Sequence, residues 1–432
     1  MKKSIRKSNS VLRLIASFIL AAALCLGMTA TAFAADDYSK GDEENPAEAA
    51  ITKEFIMPVG TTTPEVTFKF EFEKKSFNDG SDELDLNYMP TIPSQTLEFD
   101  VTDTGTEEDG VKTIIKETEN IIEGVVWPGV GVYEYTVKET KGIEDIGTGK
   151  VTYSEAEYTI LVYVDNKEDG SGVYVAAIAA KIAKNDASNE DSEEGEKVDP
   201  TPGGGPGSEY GHSYMIFTNK YLKNNGGIDP TTDSVLDISK TVAGMSSDQT
   251  KYFEFSVTVS NPETVNDTDK TYKAYVVDSK GNVVTPLTSN AGTAVIKQDD
   301  QGRDYMEFKT GDPVTVNLKH DQKLSFIDLP VGSSFTVTEK ATEDYTASYL
   351  LTIDGEKGAV VPNDSPNKAL TIDKTYIGEE ANSADYTNTY KTVTPTGLAV
   401  DNLPFIVLIV LALAALFGYA AVKARRRPKH NA

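Results

Sequence analysis

Residues 385–390 read DYTNTY, a short stretch that alternates aromatic and small polar residues. Successive side chains of a β-strand point to opposite faces, so Asn388 shares its face with the two tyrosines that flank it. Residues 216–221 read IFTNKY and place Asn219 between an aromatic pair in the same way. A buried amide without a hydrogen bond is costly. An asparagine between two aromatic residues occurs twice, at 219 and 388. The repeat predicts two closing strands in which the asparagine has a chemical role.

Each of these stretches closes a longer region in which the same features come in the same order. Lys53 lies on the apolar face of the opening strand AITKEFIM, and Lys240 lies on that of VLDISKTV. Glu139 ends the aromatic strand GVYEYTVKE, and Glu339 ends SSFTVTE. A single lysine of this kind ordinarily extends its amine to solvent, and a single strand-end glutamate is ordinarily solvated. The repeated order indicates a divergent tandem repeat with one shared use for the three residue types.

Burial gives these residue types a specific chemistry. It disfavours charge, which lowers the pKa of a lysine and raises that of a glutamate. A neutral amine is a nucleophile, and an asparagine carbonyl polarised by a proton-donating glutamate is its electrophile. Loss of ammonia would leave a Lys–Asn isopeptide bond, formed once per domain without metal or cofactor. The predicted crosslinks and their proton shuttles are Lys53–Asn219 with Glu139 and Lys240–Asn388 with Glu339.

The central region predicts an all-β fold made of two tandem immunoglobulin-like sandwiches. Stretches such as VTFKFEFE and YFEFSVTV alternate apolar and polar residues, and turn signals separate them. The N-terminal domain is expected over 36–223, with an acidic and then Pro/Gly-rich mobile loop at 185–209. Residues 224–233 read as a linker, and the C-terminal domain is expected over 234–392.

Both ends of the chain carry targeting signals. Residues 1–35 have the basic, apolar and A-x-A regions of a secretory signal peptide. The chain's single cysteine, Cys25, lies within it, so the mature protein is expected to have no disulfide. Residues 403–422 predict a transmembrane helix, and the basic tail 423–432 would remain in the cytoplasm. The expected location is the cell surface and cell wall.

Composition argues against several functional classes. The chain has 41 Lys and Arg against 67 Asp and Glu, a formal net charge of −26. Such a surface repels nucleic acid, which is therefore not an expected partner. Three histidines, no nucleophile motif and no metal-ligand cluster in the sequence argue against a secreted hydrolase.

The opening lysines, the G-x-Y-x-Y-x-V-x-E strand that ends at Glu139, and the closing T-N motifs resemble the pilin isopeptide-linkage domains of Gram-positive backbone pilins. The resemblance covers nearly all of 48–397. It implies immunoglobulin-like sandwiches in which the isopeptide bond joins the first strand to the last. Such a bond bypasses the rest of the domain under tension. In the unfolded chain it closes a loop worth roughly 4–5 kcal/mol of stability.

VTPTG at 393–397, followed by the apolar span and the arginines, resembles a sortase sorting signal. By that resemblance, sortase cleaves between Thr396 and Gly397 and transfers Thr396 to an amine of a neighbouring subunit or of peptidoglycan. Our candidate for the linking residue is Lys197, and Lys181 and Lys184 are the alternatives. A membrane anchor with a chance PTG sequence is the ordinary alternative.

Three functional classes follow. The first is a backbone pilin, polymerised by sortase and crosslinked within each domain. The second is a monomeric wall-anchored adhesin that binds a host surface ligand, with a basal or ancillary pilin as its variant. The third, an enzyme, would need catalytic residues that the sequence does not offer beyond the single-turnover crosslinking groups.

Overall fold

The computed structural model describes residues 38–78, 86–186, 194–203, 211–227, 229–363, 365 and 368–391. Within these residues we find no helix with the length and apolar character needed to span a bilayer. The predicted signal peptide, the VTPTG motif and the predicted transmembrane helix all lie outside the described residues.

The first half of the described chain is an all-β unit, here called the N-terminal sandwich. Its strands are β1 (Ser39–Lys40), β2 (Thr52–Pro58), β3 (Val66–Asn78), β4 (Gln95–Phe99), β5 (Thr106–Glu108), β6 (Val111–Glu117), β7 (Gly131–Thr140), β8 (Asp145–Ile146), β9 (Gly149–Thr152), β10 (Glu157–Asn166), β11 (Val173–Lys184), β12 (Lys197–Val198) and β13 (Ile216–Lys223). A single 3₁₀ turn, Leu86–Tyr88, is the only helical element of this described unit.

Two sheets make up the N-terminal sandwich. The larger has the order β1-β11-β10-β7-β3-β4, and β12 also pairs with β11. The smaller has the order β5-β6-β2-β13-β9-β8. In it, β2, which contains most of the opening stretch AITKEFIM, lies beside the closing strand β13 and runs parallel to it, with Lys53 opposite Phe217 and Asn219 opposite Phe55. It is called the opening strand below.

The second half forms the C-terminal sandwich. Its strands are β14 (Leu236–Ala243), β15 (Phe253–Ser260), β16 (Thr271–Val277), β17 (Val295–Gln298), β18 (Asp304–Lys309), β19 (Val314–Leu318), β20 (Gln322–Phe326), β21 (Ser334–Glu339), β22 (Tyr345–Ile353), β23 (Glu356–Pro362), β24 (Leu370–Tyr376) and β25 (Ser383–Tyr390). The sheets have the orders β17-β18-β16-β20-β14-β25-β22-β23 and β19-β15-β21-β24.

The C-terminal sandwich repeats the pairing of opening and closing strands. β14 and β25 are parallel neighbours, with Lys240 opposite Tyr386 and Val242 opposite Asn388. In both sandwiches the lysine therefore lies opposite the residue two positions before the asparagine. A slip by one residue would turn one of the two side chains out of the core, so the buried face fixes this register.

Aromatic residues from the two facing sheets fill each core. In the N-terminal sandwich the rings of Phe55 and Phe68 meet edge to face, with centroids 5.1 Å apart. In the C-terminal sandwich Phe255 and Tyr386 do the same at 5.2 Å. Edge-to-face packing of this kind adds about 0.5–1.5 kcal/mol to the burial of the rings themselves. The all-β prediction is confirmed, and the alternating stretches are the strands that supply these rings.

The segment expected to be a mobile loop, 185–209, contains the short strand β12. Lys197 in this strand is half-buried and lies opposite Lys181 of β11. Ile182 N–H also donates to Glu196 O at 2.9 Å, which fastens the strand to the sheet. This strand was not predicted, because the segment around it is acidic and has no apolar alternation.

Polar contacts join the two sandwiches around Glu379, between β24 and β25. Its carboxylate accepts hydrogen bonds from Thr62 N–H at 2.8 Å and from Thr62 Oγ1 at 3.2 Å. It also accepts one from Lys223 Nζ, at the end of β13, at 2.5 Å. Next to these contacts, Val331 N–H donates to Lys223 O at 3.0 Å. Glu379 thus accepts hydrogen bonds from three donor groups of the N-terminal sandwich.

Replacing Glu379→Ala should loosen this junction, because three donors lose their shared acceptor. We expect hydrogen exchange of the Val331 amide to become roughly ten-fold faster, equivalent to a loss of between one and two kcal/mol. The Val331 amide donates to Lys223 O and not to Glu379, so its exchange reports opening of the junction. Exchange can be followed by NMR.

Glu380→Ala is the matched control, since it makes the same change at the next, exposed position. It should leave the Val331 amide protected. Equal exchange rates in the two variants would contradict a junction held by Glu379.

Candidate functional site

The first candidate site lies between the sheets of the N-terminal sandwich. Lys53 on β2 and Asn219 on β13 come from the smaller sheet, and Glu139 on β7 comes from the larger one. The three strands are distant in sequence, and the parallel pairing of β2 with β13 brings the lysine and the asparagine together. The sequence predicted this trio, and the structure places its members in contact.

One oxygen of Glu139 contacts the side-chain nitrogens of both Lys53 and Asn219. Glu139 Oε1 lies 3.2 Å from Lys53 Nζ and accepts a hydrogen bond from Asn219 Nδ2 at 2.9 Å. The second oxygen, Oε2, accepts from Lys53 Nζ at 3.3 Å. A carboxylate so placed can take a proton from the amine and deliver one to the amide nitrogen.

The site is closed to water. The side chains of Lys53 and Glu139 are fully buried, and Asn219 is also 0% exposed. The ammonium lies over the ring of Phe68, 4.7 Å from its centroid. A buried ion pair gains from its Coulomb attraction but loses hydration, and removing one partner typically costs about 3–5 kcal/mol.

Burial shifts both ionisable groups toward their neutral forms. It lowers the pKa of Lys53 to about 8, although the neighbouring Glu139 carboxylate counteracts the shift. It also raises the pKa of Glu139, against the opposing effect of Lys53. The two shifts agree in direction, so proton transfer from ammonium to carboxylate costs far less here than in water. That transfer would create a nucleophilic amine.

The C-terminal sandwich carries the same arrangement. Glu339 Oε1, on β21, accepts from Lys240 Nζ at 2.7 Å and from Asn388 Nδ2 at 2.7 Å. All three residues are only 1% exposed. Burial lowers the pKa of Lys240 to about 8 and raises that of Glu339. The amine lies 4.4 Å from the ring centroid of Phe253.

The carbonyl oxygens of the two asparagines differ in their surroundings. Asn219 Oδ1 accepts a hydrogen bond from Ser154 N–H at 2.5 Å. Asn388 Oδ1 is buried and, among the described residues, has no hydrogen-bond partner. The sequence hypothesis placed the glutamate at the carbonyl oxygen. In the structure the carboxylate instead accepts from the amide nitrogen in both sites.

Two residues of the N-terminal site were not predicted from the sequence. Ser154 follows β9, and Asp186 follows β11. Asp186 Oδ2 accepts hydrogen bonds from Ser154 Oγ and from Thr218 N–H, the latter at 2.9 Å. Neither residue belongs to an alternating pattern, so their place beside Asn219 depends on where two strands end.

The proposed linking lysines are not members of the two buried trios. Lys197 and Lys181 are cross-strand neighbours at the outer side of β11. Burial and the charge of Lys197 lower the pKa of Lys181. Lys184 forms an ion pair with Glu155 at 2.9 Å. Thr396 and Gly397, the predicted sortase cleavage residues, lie outside the described residues.

Comparison with known proteins gives one family match, over residues 234–390, to a family described as a domain of unknown function (DUF7601). No curated protein matches the chain. Among solved structures, the chain is similar to the major pilin of Streptococcus pyogenes, with 19% identity, a TM-score of 0.31, and coverage of 80% of this chain and 99% of that one.

Two further structures show similarity of the same kind. The major pilin T-13 of Streptococcus pyogenes is 18% identical, with a TM-score of 0.27 and coverage of 82% of this chain and 100% of that one. A pilus-presented adhesin is 18% identical over 55% of this chain and 36% of that one, with a TM-score of 0.22.

The lowered pKa of Lys53 predicts a pH dependence when the lysine remains an amine, as in Asn219→Ala. Between pH 8 and 10.5 the unfolded chain holds a proton that the folded chain has released. The free energy of unfolding should therefore rise with pH, by about 1 kcal/mol per pH unit between roughly pH 8 and 9.5. Urea unfolding can be followed by the fluorescence of Trp127, the chain's single tryptophan, which packs against the N-terminal core.

The control carries Lys53→Met and Glu139→Gln in the same Asn219→Ala background. It has no lysine amine in the site, so the rise between pH 8 and 9.5 should disappear. A slope that is the same with and without Lys53 would show that the amine titrates normally.

Proposed function

We propose that this protein is the shaft subunit of a surface pilus, in which an isopeptide bond crosslinks each sandwich and sortase joins the subunits. The observation that carries the proposal is the duplicated buried trio of lysine, glutamate and asparagine. A single buried ion pair is compatible with many roles. Two trios, with the same strand origins and the same register, favour a reaction selected in both domains.

The positions of the bonded residues explain what the bonds would do. Lys53 and Lys240 lie on opening strands, whereas Asn219 and Asn388 lie on the adjacent, parallel closing strands. When a sandwich is pulled at its two ends, its opening and closing strands are pulled in opposite directions. Because the two strands are parallel neighbours, this force shears them past one another. A covalent bond between them carries the load directly, and the rest of the sandwich is left without tension.

The absence of cysteine after Cys25 makes such a bond useful. Exported domains are commonly stabilised by disulfides, which this chain cannot form within its predicted mature part. An isopeptide bond closes a comparable loop, worth roughly 5 kcal/mol in the chain-entropy model, and reducing agents do not break it.

The polymer part of the proposal is supported by the sequence signal and by the lysines of the N-terminal sandwich. Sortase would transfer Thr396, exposed by cleavage before Gly397, to Lys197 of the next subunit. Lys197 lies on the short outer strand β12, beside Lys181. The final subunit would be transferred to peptidoglycan, and the displayed fibre would present its surface to a host ligand.

The intact mass of the purified ectodomain tests the crosslinks. We expect a mass lower than that of the plain sequence by two ammonia molecules. Glu139→Ala and Glu339→Ala should each restore one ammonia, because the proton shuttle is lost. Each should also lower the midpoint of thermal unfolding by roughly 10–20 °C.

Glu134→Ala provides the control, since Glu134 lies on the same strand β7 but contacts Ser76 and Lys75 instead of the trio. It should leave the ammonia loss intact. A wild-type mass equal to the plain sequence would rule out both bonds.

Expression in a Gram-positive host with and without its sortase tests polymerisation. A pilin should give a sortase-dependent ladder on denaturing gels, and tandem mass spectrometry should find Thr396 joined to Lys197. Lys197→Arg should abolish the ladder, because arginine cannot accept the acyl group under these conditions.

Lys181→Arg and Lys184→Arg are the matched variants and should leave the ladder unchanged. Loss of the ladder in Lys181→Arg alone would move the linkage to the cross-strand neighbour. A single band with an active sortase would contradict the shaft role and favour the monomeric adhesin.

A further inference from the structure

The end of strand β9 leaves a backbone donor beside the N-terminal site. β9 pairs antiparallel with the closing strand β13, and the last pair toward the site is Thr152 with Lys220. Beyond this pair the two strands separate, so the amide of Ser154 forms no backbone hydrogen bond with β13. Its N–H turns inward to the side chain of Asn219.

The direction of this contact fixes the orientation of the amide. Ser154 N–H lies 2.5 Å from Asn219 Oδ1 and 3.2 Å from Glu139 Oε2. A backbone N–H can only donate, so the atom of Asn219 that faces it is the carbonyl oxygen. The opposite atom, Nδ2, then faces the carboxylate of Glu139.

Asp186 holds the donor in place. Its Oδ2 accepts hydrogen bonds from Ser154 Oγ and from Thr218 N–H, and Thr218 immediately precedes Asn219 on β13. Ala156 N–H also donates to Ser154 Oγ at 3.2 Å. Asp186 is buried, so solvent does not compete for these bonds. Asp186 therefore links Ser154, which carries the N–H donor, to β13, which carries Asn219.

We propose that Ser154 N–H stabilises the negative charge that develops on Asn219 Oδ1 during crosslinking, and that Asp186 is the residue that positions it. The inference rests on the crosslinking reaction proposed above. In this mechanism Glu139 moves protons between Lys53 Nζ and Asn219 Nδ2. Ser154 N–H donates a hydrogen bond to the negatively charged Oδ1. Donors preorganised at such an oxygen are among the largest contributors to acyl-transfer catalysis.

The reaction balances with these groups alone. Glu139 takes a proton from the Lys53 ammonium, and the neutral Nζ attacks Asn219 Cγ. The Nζ–Cγ bond forms while the carbonyl electron pair moves to Oδ1, beside Ser154 N–H. Glu139 then gives its proton to Nδ2 and removes one from Nζ. The Cγ–Nδ2 bond breaks, the carbonyl re-forms, and ammonia leaves with the proton that Lys53 first carried.

The C-terminal site lacks the equivalent donor among the described residues. There the strand next to β25 is β22, which continues past the site with Ala347 opposite Asn388. A continuous ladder uses its amides in backbone hydrogen bonds. Asn388 Oδ1 is accordingly buried without a partner in this described part of the chain. We therefore infer that the N-terminal bond forms faster than the C-terminal one.

The test compares two proteins that differ by one N–H group. Cell-free translation of the full ectodomain can place lactic acid at position 154, which replaces the amide by an ester. Its control is Ser154→Ala, which has the same side chain and keeps the N–H. After a short labelling pulse, mass spectrometry of peptides from each sandwich gives the rate of ammonia loss at each site.

We expect the ester to slow the N-terminal crosslink roughly hundred-fold relative to Ser154→Ala. The C-terminal crosslink, in the same molecules, should keep its rate and thereby show that translation and folding are intact. In the unmodified chain the N-terminal crosslink should form first.

Equal N-terminal rates for the ester and the Ser154→Ala control would overturn the inference while leaving the crosslinks themselves established. No ammonia loss at either site of the unmodified chain would instead overturn the proposed function. Folding of the ester protein is checked separately in the Asn219→Ala background, where no bond can form. There the ester protein should still unfold cooperatively, at a midpoint no more than about 5 °C below that of the Ser154→Ala control, because it also loses the hydrogen bond to Glu139 Oε2.

The positioning role of Asp186 is tested by two substitutions. Asp186→Ala should slow the N-terminal crosslink roughly ten-fold, because Ser154 loses its anchor. Asp186→Asn keeps an acceptor oxygen of the same reach and should restore most of the rate. A contribution that depends on the negative charge of the carboxylate would instead leave the two variants equally slow.

Discussion

The parallel pairing of the opening strand with the closing strand is the constraint on which the rest of this structure depends. It occurs in both sandwiches, through β2 with β13 and through β14 with β25. It places a lysine and an asparagine from the two ends of each domain on one buried face. The facing sheet then needs to supply only one glutamate to complete the site. In the function proposed above, the same pairing would make the crosslinked site a mechanical link, because the lysine and the asparagine lie on the strands through which tension would enter and leave.

Burial gives the pairing its chemistry. Neither Lys53 nor Glu139 can be hydrated, so each favours its neutral form, and only their mutual attraction keeps the ion pair. Such a pair contributes little net stability, because apolar residues of similar size would stabilise the core equally well. It is better suited to proton transfer, because burial moves the pKa values of the two groups toward each other. The proposed Lys53–Asn219 bond would permanently remove the charges of Lys53 and Glu139 from the core. The reaction would then also stabilise the fold.

The alternating strands and the two trios could be predicted from the sequence because each depends on local periodicity. Lys53 and Lys240 stand out as charges within apolar faces, and Glu139 and Glu339 end aromatic strands. Strands without that signal were not predicted. β23 is exposed along its whole length at the edge of its sheet, so its sequence shows no apolar alternation. β12 has only two residues and gains its place from pairing with β11.

The sequence by itself determined that the chain is all-β and which lysine, glutamate and asparagine face each core, since a period of two assigns faces without knowledge of neighbours. Only the tertiary structure decided which atom of each amide the glutamate contacts, and that Ser154 and Asp186 join the N-terminal site. Those contacts depend on where β9 stops and β22 continues beside the closing strand. A strand's end is set by the packing of its neighbours in three dimensions, which no local pattern of residues records.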